Sequence, residues 1–94
     1  MNFEWDEPKN RANRLKHGVS FEDVTVLFAT DSQLIVDIDD RYDYGEDRWI
    51  GIGALGDLVV VVVFTEPRHD TVRIISVRKA NQNEQDYYFR SVHN

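Results

Sequence analysis

The spacing of apolar residues changes once along the chain, from a helical period to a strand period. Residues 7–17 are predicted to form a helix that begins after Asp6, a good N-cap, and ends before Gly18, a residue suited to the position after a helix. The residues at i, i+4 and i+7 predict its buried stripe: Pro8, Ala12 and Leu15.

Two further helices are predicted. Apolar residues with helical spacing and a Ser20–Asp23 pair that resembles a capping box indicate a short helix over 21–29. A second capping-box pair, Asn81 with Glu84, opens a closing helix over 81–92.

Between these helices the pattern is typical of strands, separated by short turns. The predicted strands are 34–38, 48–54, 58–64 and 72–78, with a turn at 65–71 before the last. Short turns imply antiparallel neighbours, and the uninterrupted valine run favours an inner strand covered on both faces. Phe3-Glu4-Trp5 alternates as a short strand or an extended arm does.

The predicted fold class is therefore α+β: two N-terminal helices, a four-stranded antiparallel β-meander and a C-terminal helix. The length favours one domain over residues 1–94.

Composition narrows the function classes. The chain has no cysteine, which excludes disulfides, thiolate metal sites and a cysteine nucleophile. Its longest apolar run, residues 58–64, is too short to span a membrane, and we expect a cytoplasmic protein with no membrane contact.

The net charge of −6 argues at first against nucleic-acid binding. However, segment 37–47 holds six acidic residues and one basic residue, a net charge of −5, and the rest of the chain carries only −1. Local basic patches therefore keep nucleic acid as a candidate ligand. The acidic segment fits no EF-hand register, and we interpret it as a solvated hairpin loop or as a contact with a basic partner.

No nucleophile elbow, glycine-rich phosphate loop, HExxH motif or zinc-ligand spacing occurs, so we predict neither a metal nor a cofactor. The candidate chemistry rests on three cationic groups: Lys9, Lys16 and His17; Arg68 and His69; Arg73, Arg78 and Lys79. If the last strand is regular, Arg73 and Lys79 share one face, and Arg78 lies on the other with Val72, Ile74 and Ser76.

Together these groups suggest a phosphate-binding sheet face. RNA cleavage by the neighbouring 2′-OH needs a base, a proton for the leaving oxygen and cations on the phosphorane. Glu66 or His17 is the candidate base, and the electrostatic clamp would be Arg68, Arg73, Arg78 and Lys79. Tyr88 is a candidate for stacking on a nucleobase or for acting as an acid.

The sequence also resembles a known family, the BrnT-like toxins of bacterial type II toxin–antitoxin systems. The resemblance is strongest in the opening stretch and continues through the strands to the closing helix. It is carried by Phe3, Trp5, Asp6, Lys9, Asn13, the segment Lys16-His17-Gly18-Val19, Phe21, Gly45-Glu46, Arg48, the segment 50–53, Phe64-Thr65-Glu66, Arg73-Ile74-Ile75-Ser76, Arg78, Ala80, Glu84 and Tyr88.

The resemblance implies a RelE-like ribonuclease fold and metal-independent RNA cleavage that inhibits translation. It implies catalytic roles at Arg73, Arg78 and Lys79, with support from Lys9 and His17. The implied partners are RNA and a BrnA-like ribbon-helix-helix antitoxin, an arrangement compatible with a heterotetramer. DNA would be contacted only through the antitoxin.

Two alternatives remain open at this point. The chain can be a catalytically weak toxin homologue that binds an antitoxin in operon autoregulation. The acidic segment favours this reading, as does Lys79 where arginine is common, because lysine makes no bidentate phosphate contact. A sequence-specific DNA-binding domain is the third hypothesis, which the net charge and the lack of a recognition helix disfavour.

Overall fold

The computed structural model describes residues 1–29, 32–40 and 45–93. Its elements in chain order are β1 (Asn2–Glu4), α1 (Glu7–His17), α2 (Phe21–Val24), a 3₁₀ turn (Thr25–Phe28), β2 (Ile35–Asp39), β3 (Arg48–Leu55), β4 (Leu58–Arg68), β5 (Thr71–Lys79) and α3 (Gln82–His93). The predicted α+β class is confirmed. The acidic segment 37–47 lies partly outside the described residues.

The sheet differs from the predicted four-stranded one by an added strand. Its order is β1-β5-β4-β3-β2, with β2 to β5 forming the predicted antiparallel meander. β1 pairs in parallel with β5, and Glu4 lies opposite Arg73. The sheet is therefore mixed. This pairing joins opposite ends of the chain, and local periodicity carries no signal for it.

The valine run forms the inner strand that was predicted. Val60 and Val62 point to one face of the sheet, where α2 packs, and belong to a buried cluster with Phe21 and Ile74. Val59 and Val61 point to the opposite face with Ala80 and Tyr88 of the α3 side. We call these the α2 face and the α3 face. Coverage on both faces explains the continuous apolar sequence.

The predicted helix over 21–29 is only partly helical. The Ser20–Asp23 capping box is present, but α2 ends at Val24 and the chain continues as a 3₁₀ turn. Leu27 of that turn is buried against the backbone of Gly53, where an added Cβ would lie 3.0 Å from Leu27 Cδ2. The glycine in β3 therefore permits a close approach that a larger residue would obstruct.

The bounds predicted for α1 are confirmed, but its predicted buried stripe is wrong. Pro8 and Ala12 are exposed, and Leu15 is 89% exposed. The inward side instead carries Asn10, which is buried, and Asn13, which is half-buried. The helix docks through hydrogen bonds of its side-chain amides and not through apolar side chains. The spacing of its apolar residues therefore predicted the wrong side of the helix as buried.

The side-chain amides of Asn10 and Asn13 bind backbone groups that are not paired with a neighbouring strand. Asn13 Nδ2 donates to the Val77 carbonyl at 2.7 Å, and the Val77 amide donates to Asn13 Oδ1 at 3.3 Å. Asn10 Oδ1 accepts from the Phe21 amide at 2.8 Å. Since β1 covers β5 only as far as Arg73, Asn13 satisfies the next stretch of the β5 edge.

A β-bulge in β5 overturns the predicted arrangement of its cations. Val63 pairs with Ser76 and Phe64 with Ile74, so Ile75 is an extra residue. The alternation of β5 side chains between the two faces of the sheet is interrupted at Ile75. Arg73 and Arg78 consequently share the α3 face, opposite Thr65 and Val61 respectively. Ser76 lies on that face too, and Lys79, paired with Val60, lies on the α2 face.

The turn before β5 is shorter than predicted. β4 extends to Arg68 and β5 begins at Thr71, so only His69 and Asp70 separate the two strands. Asp70 adopts a left-handed backbone with φ of 57°. A second register irregularity between Thr65 and Arg68 accommodates Pro67, which has no N–H to donate to the ladder.

Candidate functional site

Arg73 is held by a carboxylate from the neighbouring strand. Glu4 Oε2 accepts from Arg73 Nη1 at 3.0 Å, and Glu4 Oε1 accepts from Arg68. These hydrogen bonds, that of Arg68 above all, hold the pKa of Glu4 below its ordinary value. The parallel pairing of β1 places the three side chains together on the α3 face. Both guanidinium groups remain partly exposed.

Arg78 is held by the first turn of α3. Its two terminal nitrogens donate to the two oxygens of Glu84, each at 2.8 Å, in a bidentate pair. Glu84 Oε1 also accepts from the Asn81 amide, and Asn81 Oδ1 accepts from the Glu84 amide, so the predicted capping box is confirmed. The hydrogen bonds from Arg78 lower the pKa of Glu84 despite partial burial.

The cations of α1 lie in a groove at the β5 edge. A cavity of about 320 Å³ opens between α1 and β5, and its lining contains no acidic residue. The lining residues are Lys9, Ala12, Asn13, Lys16, His17, Ile75 and Ser76. The bulge residue Ile75 thus lines a cationic groove, and Arg73 and Arg78 precede and follow it on the same strand.

Glu66 lies elsewhere. It lines a separate cavity of about 490 Å³ with Trp49 and two further acidic residues, Glu46 and Asp47. None of the predicted cationic residues lines that cavity. Of the two candidate bases, His17 is therefore the one that shares a groove with cations, and it is half-buried there.

Tyr88 is part of the α3 packing. It is 4% exposed, and its hydroxyl donates to the Gln33 carbonyl at 3.0 Å. In this position its ring is not presented to a nucleobase, so we leave Tyr88 out of the site. Lys79 is exposed on the opposite face from Arg73 and Arg78.

The sequence interpretation did not assign Glu4 or Asn13 a role in the site. Both contact residues far away in the chain: Glu4 binds Arg73, 69 positions on, and Asn13 binds Val77, 64 positions on. A polar residue on the inward side of a helix, such as Asn13, is the signal that could have found one of them. In the described residues, no cluster of three His, Asp or Glu side chains is suited to holding a metal ion.

The arrangement is suited to a phosphodiester. Arginine and lysine donors can bind non-bridging oxygens, and an imidazole beside them can move a proton. The β5 backbone is paired with β4 and is hydrogen-bonded to Asn13 at Val77, which sets the positions from which Arg73 and Arg78 reach a ligand.

Comparison with known proteins supports this interpretation. The sequence pattern of the family described as "Ribonuclease toxin, BrnT, of type II toxin-antitoxin system" matches residues 5–84. The chain belongs to the BrnT family. The crystal structure of the Brucella abortus ribonuclease toxin BrnT is similar, with a TM-score of 0.67 and 30% sequence identity, and the match covers 87% of this chain and 99% of that one.

No curated protein matches the chain significantly. Membership in the BrnT family makes this a ribonuclease-type toxin with an antitoxin partner, as the sequence resemblance predicted. Among the described residues, no helix has the length and apolarity needed to cross a membrane.

Proposed function

We propose that this chain is a cytoplasmic, metal-independent endoribonuclease that arrests growth by cutting RNA needed for translation, and that a ribbon-helix-helix antitoxin neutralises it. The observation that carries the proposal is the bulge at Ile75. By interrupting alternation, it puts Arg73 and Arg78 on one face while the Lys9/Lys16/His17 groove opens at the same strand.

The proposed reaction is attack by the ribose 2′-oxygen on the adjacent phosphorus. His17 accepts the 2′-OH proton, and the 5′-oxygen leaves with a proton supplied by Lys9 or Lys16. The products are a 2′,3′-cyclic phosphate and a 5′-hydroxyl end. Arg73 and Arg78 bind the non-bridging oxygens, where negative charge grows in the transition state. Arg68 extends the same cationic surface toward the flanking RNA backbone.

A growth experiment tests the proposal. Induced expression without antitoxin should stop growth, and Arg73→Ala or Arg78→Ala should restore it at equal soluble levels. Arg11→Ala, an exposed cation of α1 outside the groove, is the matched control and should remain toxic. Normal growth with the wild-type chain, at confirmed soluble levels, would reject the proposal.

The runner-up is an antitoxin-binding homologue with little catalysis. It is favoured by the carboxylates Glu4 and Glu84, which already occupy the donors of Arg73 and Arg78. It predicts tight antitoxin binding with no RNA cleavage by the purified chain.

A further inference from the structure

Apolar side chains are exposed together at the β2 edge of the sheet. Val36 and Ile38 of β2 are 45% and 46% exposed, and Tyr87 of the nearby α3 is 45% exposed. Beside them lies a cavity of about 210 Å³ lined mostly by apolar residues. Its lining residues are Ile35, Asp37, Ile38, Ile50, Ile52 and Tyr87. Contiguous exposed apolar surface is typical of interaction sites, and at this cavity exposed apolar residues of β2 and α3, Ile38 and Tyr87, meet.

β2 has apolar residues on both faces of the sheet. Val36 lies opposite Gly51 and Ile38 opposite Trp49, which places them on the α2 face. Ile35, opposite Ile52, lies on the α3 face. An added strand at this edge would therefore find apolar neighbours on both faces, as a strand in the middle of a sheet does.

The two outer edges of the sheet differ in how far other parts of the chain cover their backbone. On the far side, β1 is only three residues long and Asn13 binds the β5 backbone beyond it. β2 is a five-residue strand without a bulge, and within the described residues it pairs with β3 alone. Lysine, proline and bulges commonly protect an edge from further pairing, and β2 has none of them. Its charged residues are Asp37, which is exposed, and Asp39, which is buried.

One backbone donor of this edge is held by a side chain. The Ile38 amide donates to Asp37 Oδ1 at 2.8 Å. This hydrogen bond stays within β2, so pairing with an incoming strand would replace it by a hydrogen bond from the Ile38 amide to a carbonyl of that strand. Such an exchange would release the Asp37 carboxylate to meet a cation.

The acidic residues near the β2 edge indicate the charge of the segment that would bind there. Exposed acidic residues lie on β2 and at one of its ends: Asp37 is on the strand, Asp40 follows it, and Glu46 and Asp47 precede Arg48, which pairs with the last residue of β2. A basic segment complements them. A second copy of this chain does not, because antiparallel pairing of β2 with itself about Asp37 would set two Asp37 side chains opposite each other and add a second acidic segment.

We propose that the β2 edge is the docking surface for an extended antitoxin segment whose apolar residues alternate with or are flanked by lysine and arginine. The segment adds a strand to β2 and places an apolar side chain in the Ile35/Ile50/Tyr87 cavity. The proposal rests on the toxin–antitoxin part of the proposed function and is independent of RNA cleavage.

Affinity for the purified co-encoded antitoxin tests the proposal. Ile38→Lys and Val36→Lys should each weaken binding by about thirtyfold, the loss typical of an interface centre. The matched controls are Leu15→Lys and Val26→Lys, which change apolar residues of α1 and the 3₁₀ turn, 89% and 62% exposed, to the same cation. The controls should bind within about twofold of wild type.

Hydrogen exchange on the wild-type complex gives a second readout that needs no variant. Strand addition should protect the Val36 and Ile38 amides at least about tenfold over the free chain. The proposal is overturned if the antitoxin fails to bind the wild-type chain, if these amides gain no protection, or if the controls lose as much affinity as the β2 variants. A chain that dimerises alone, and becomes monomeric on Ile38→Lys, would assign the edge to a second copy instead.

RNA cleavage separates this inference from the catalytic proposal. Antitoxin-free Ile38→Lys should cut RNA as the wild type does. If the wild type cuts nothing while the β2 variants still lose the antitoxin, the catalytic proposal fails and the docking surface stands.

Discussion

Asn13 and Val77 form a reciprocal pair in which one amide side chain takes both backbone hydrogen-bonding groups of a strand residue. The pair fixes α1 against β5 beside the bulge, and so fixes the cationic groove. Asn13→Ala should lower the free energy of unfolding by about 2 kcal/mol, because it leaves the Val77 groups without their partner. Urea denaturation measures this loss. The neighbouring Arg14→Ala, which alters an exposed side chain, should change stability by under about 0.5 kcal/mol.

Glu84 should stabilise the fold in a pH-dependent way. Because Arg78 lowers its folded-state pKa from the ordinary value of 4.5, the stabilisation is complete above that value and disappears as pH falls through the folded-state pKa. Glu84→Gln keeps an acceptor for the capping box and removes only the charge. The variant should be less stable than wild type by about 0.5 kcal/mol at pH 7, since the pair is partly exposed.

Thermal melts across pH 3 to 7 check this difference, which should shrink as the pH falls below 4.5. Asp57→Asn, in the exposed β3–β4 turn, is the charge-matched control. A deficit of Glu84→Gln that persists unchanged at pH 3 would show that the ion pair is not its source.

Glu4 should compete with RNA for Arg73. Its carboxylate occupies a guanidinium nitrogen that a phosphate would also use, so Glu4→Gln should bind RNA more tightly, by up to about fivefold for an exposed ion pair. Fluorescence anisotropy with a cleavage-resistant 2′-O-methyl RNA oligonucleotide measures the affinity. Weaker binding by Glu4→Gln would instead mean that the carboxylate positions Arg73 for RNA.

Tyr88 should act through stability. Removing its hydroxyl in Tyr88→Phe breaks the bond to the Gln33 carbonyl and should cost about 1 kcal/mol of unfolding free energy. RNA affinity of the folded variant should match that of wild type. Lower RNA affinity at unchanged stability would place Tyr88 on the RNA surface after all.

Local structure was largely predictable from the sequence. The bounds of α1, both capping boxes and the antiparallel meander follow from spacing and from polar residues next to helix ends. The inner position of β4 follows from its valines. Each of these features depends on neighbours within a few residues.

What the sequence did not reveal depends on contacts between distant residues. The pairing of Glu4 with Arg73, the docking of α1 through Asn13 and the bulge at Ile75 each require two elements to be in place. The bulge matters most for the site. Strict alternation separates Arg73 from Arg78, whereas one extra residue brings them to the same face.

RNA cleavage by the purified, antitoxin-free chain in excess EDTA is the decisive assay for a metal-independent ribonuclease. We predict that the wild type cuts RNA under these conditions, leaving cyclic phosphate ends, and that Arg73→Ala reduces the rate by about a hundredfold while remaining folded. A folded wild-type chain that leaves RNA intact, or whose cleavage stops with EDTA, would show that the protein is not a metal-independent ribonuclease.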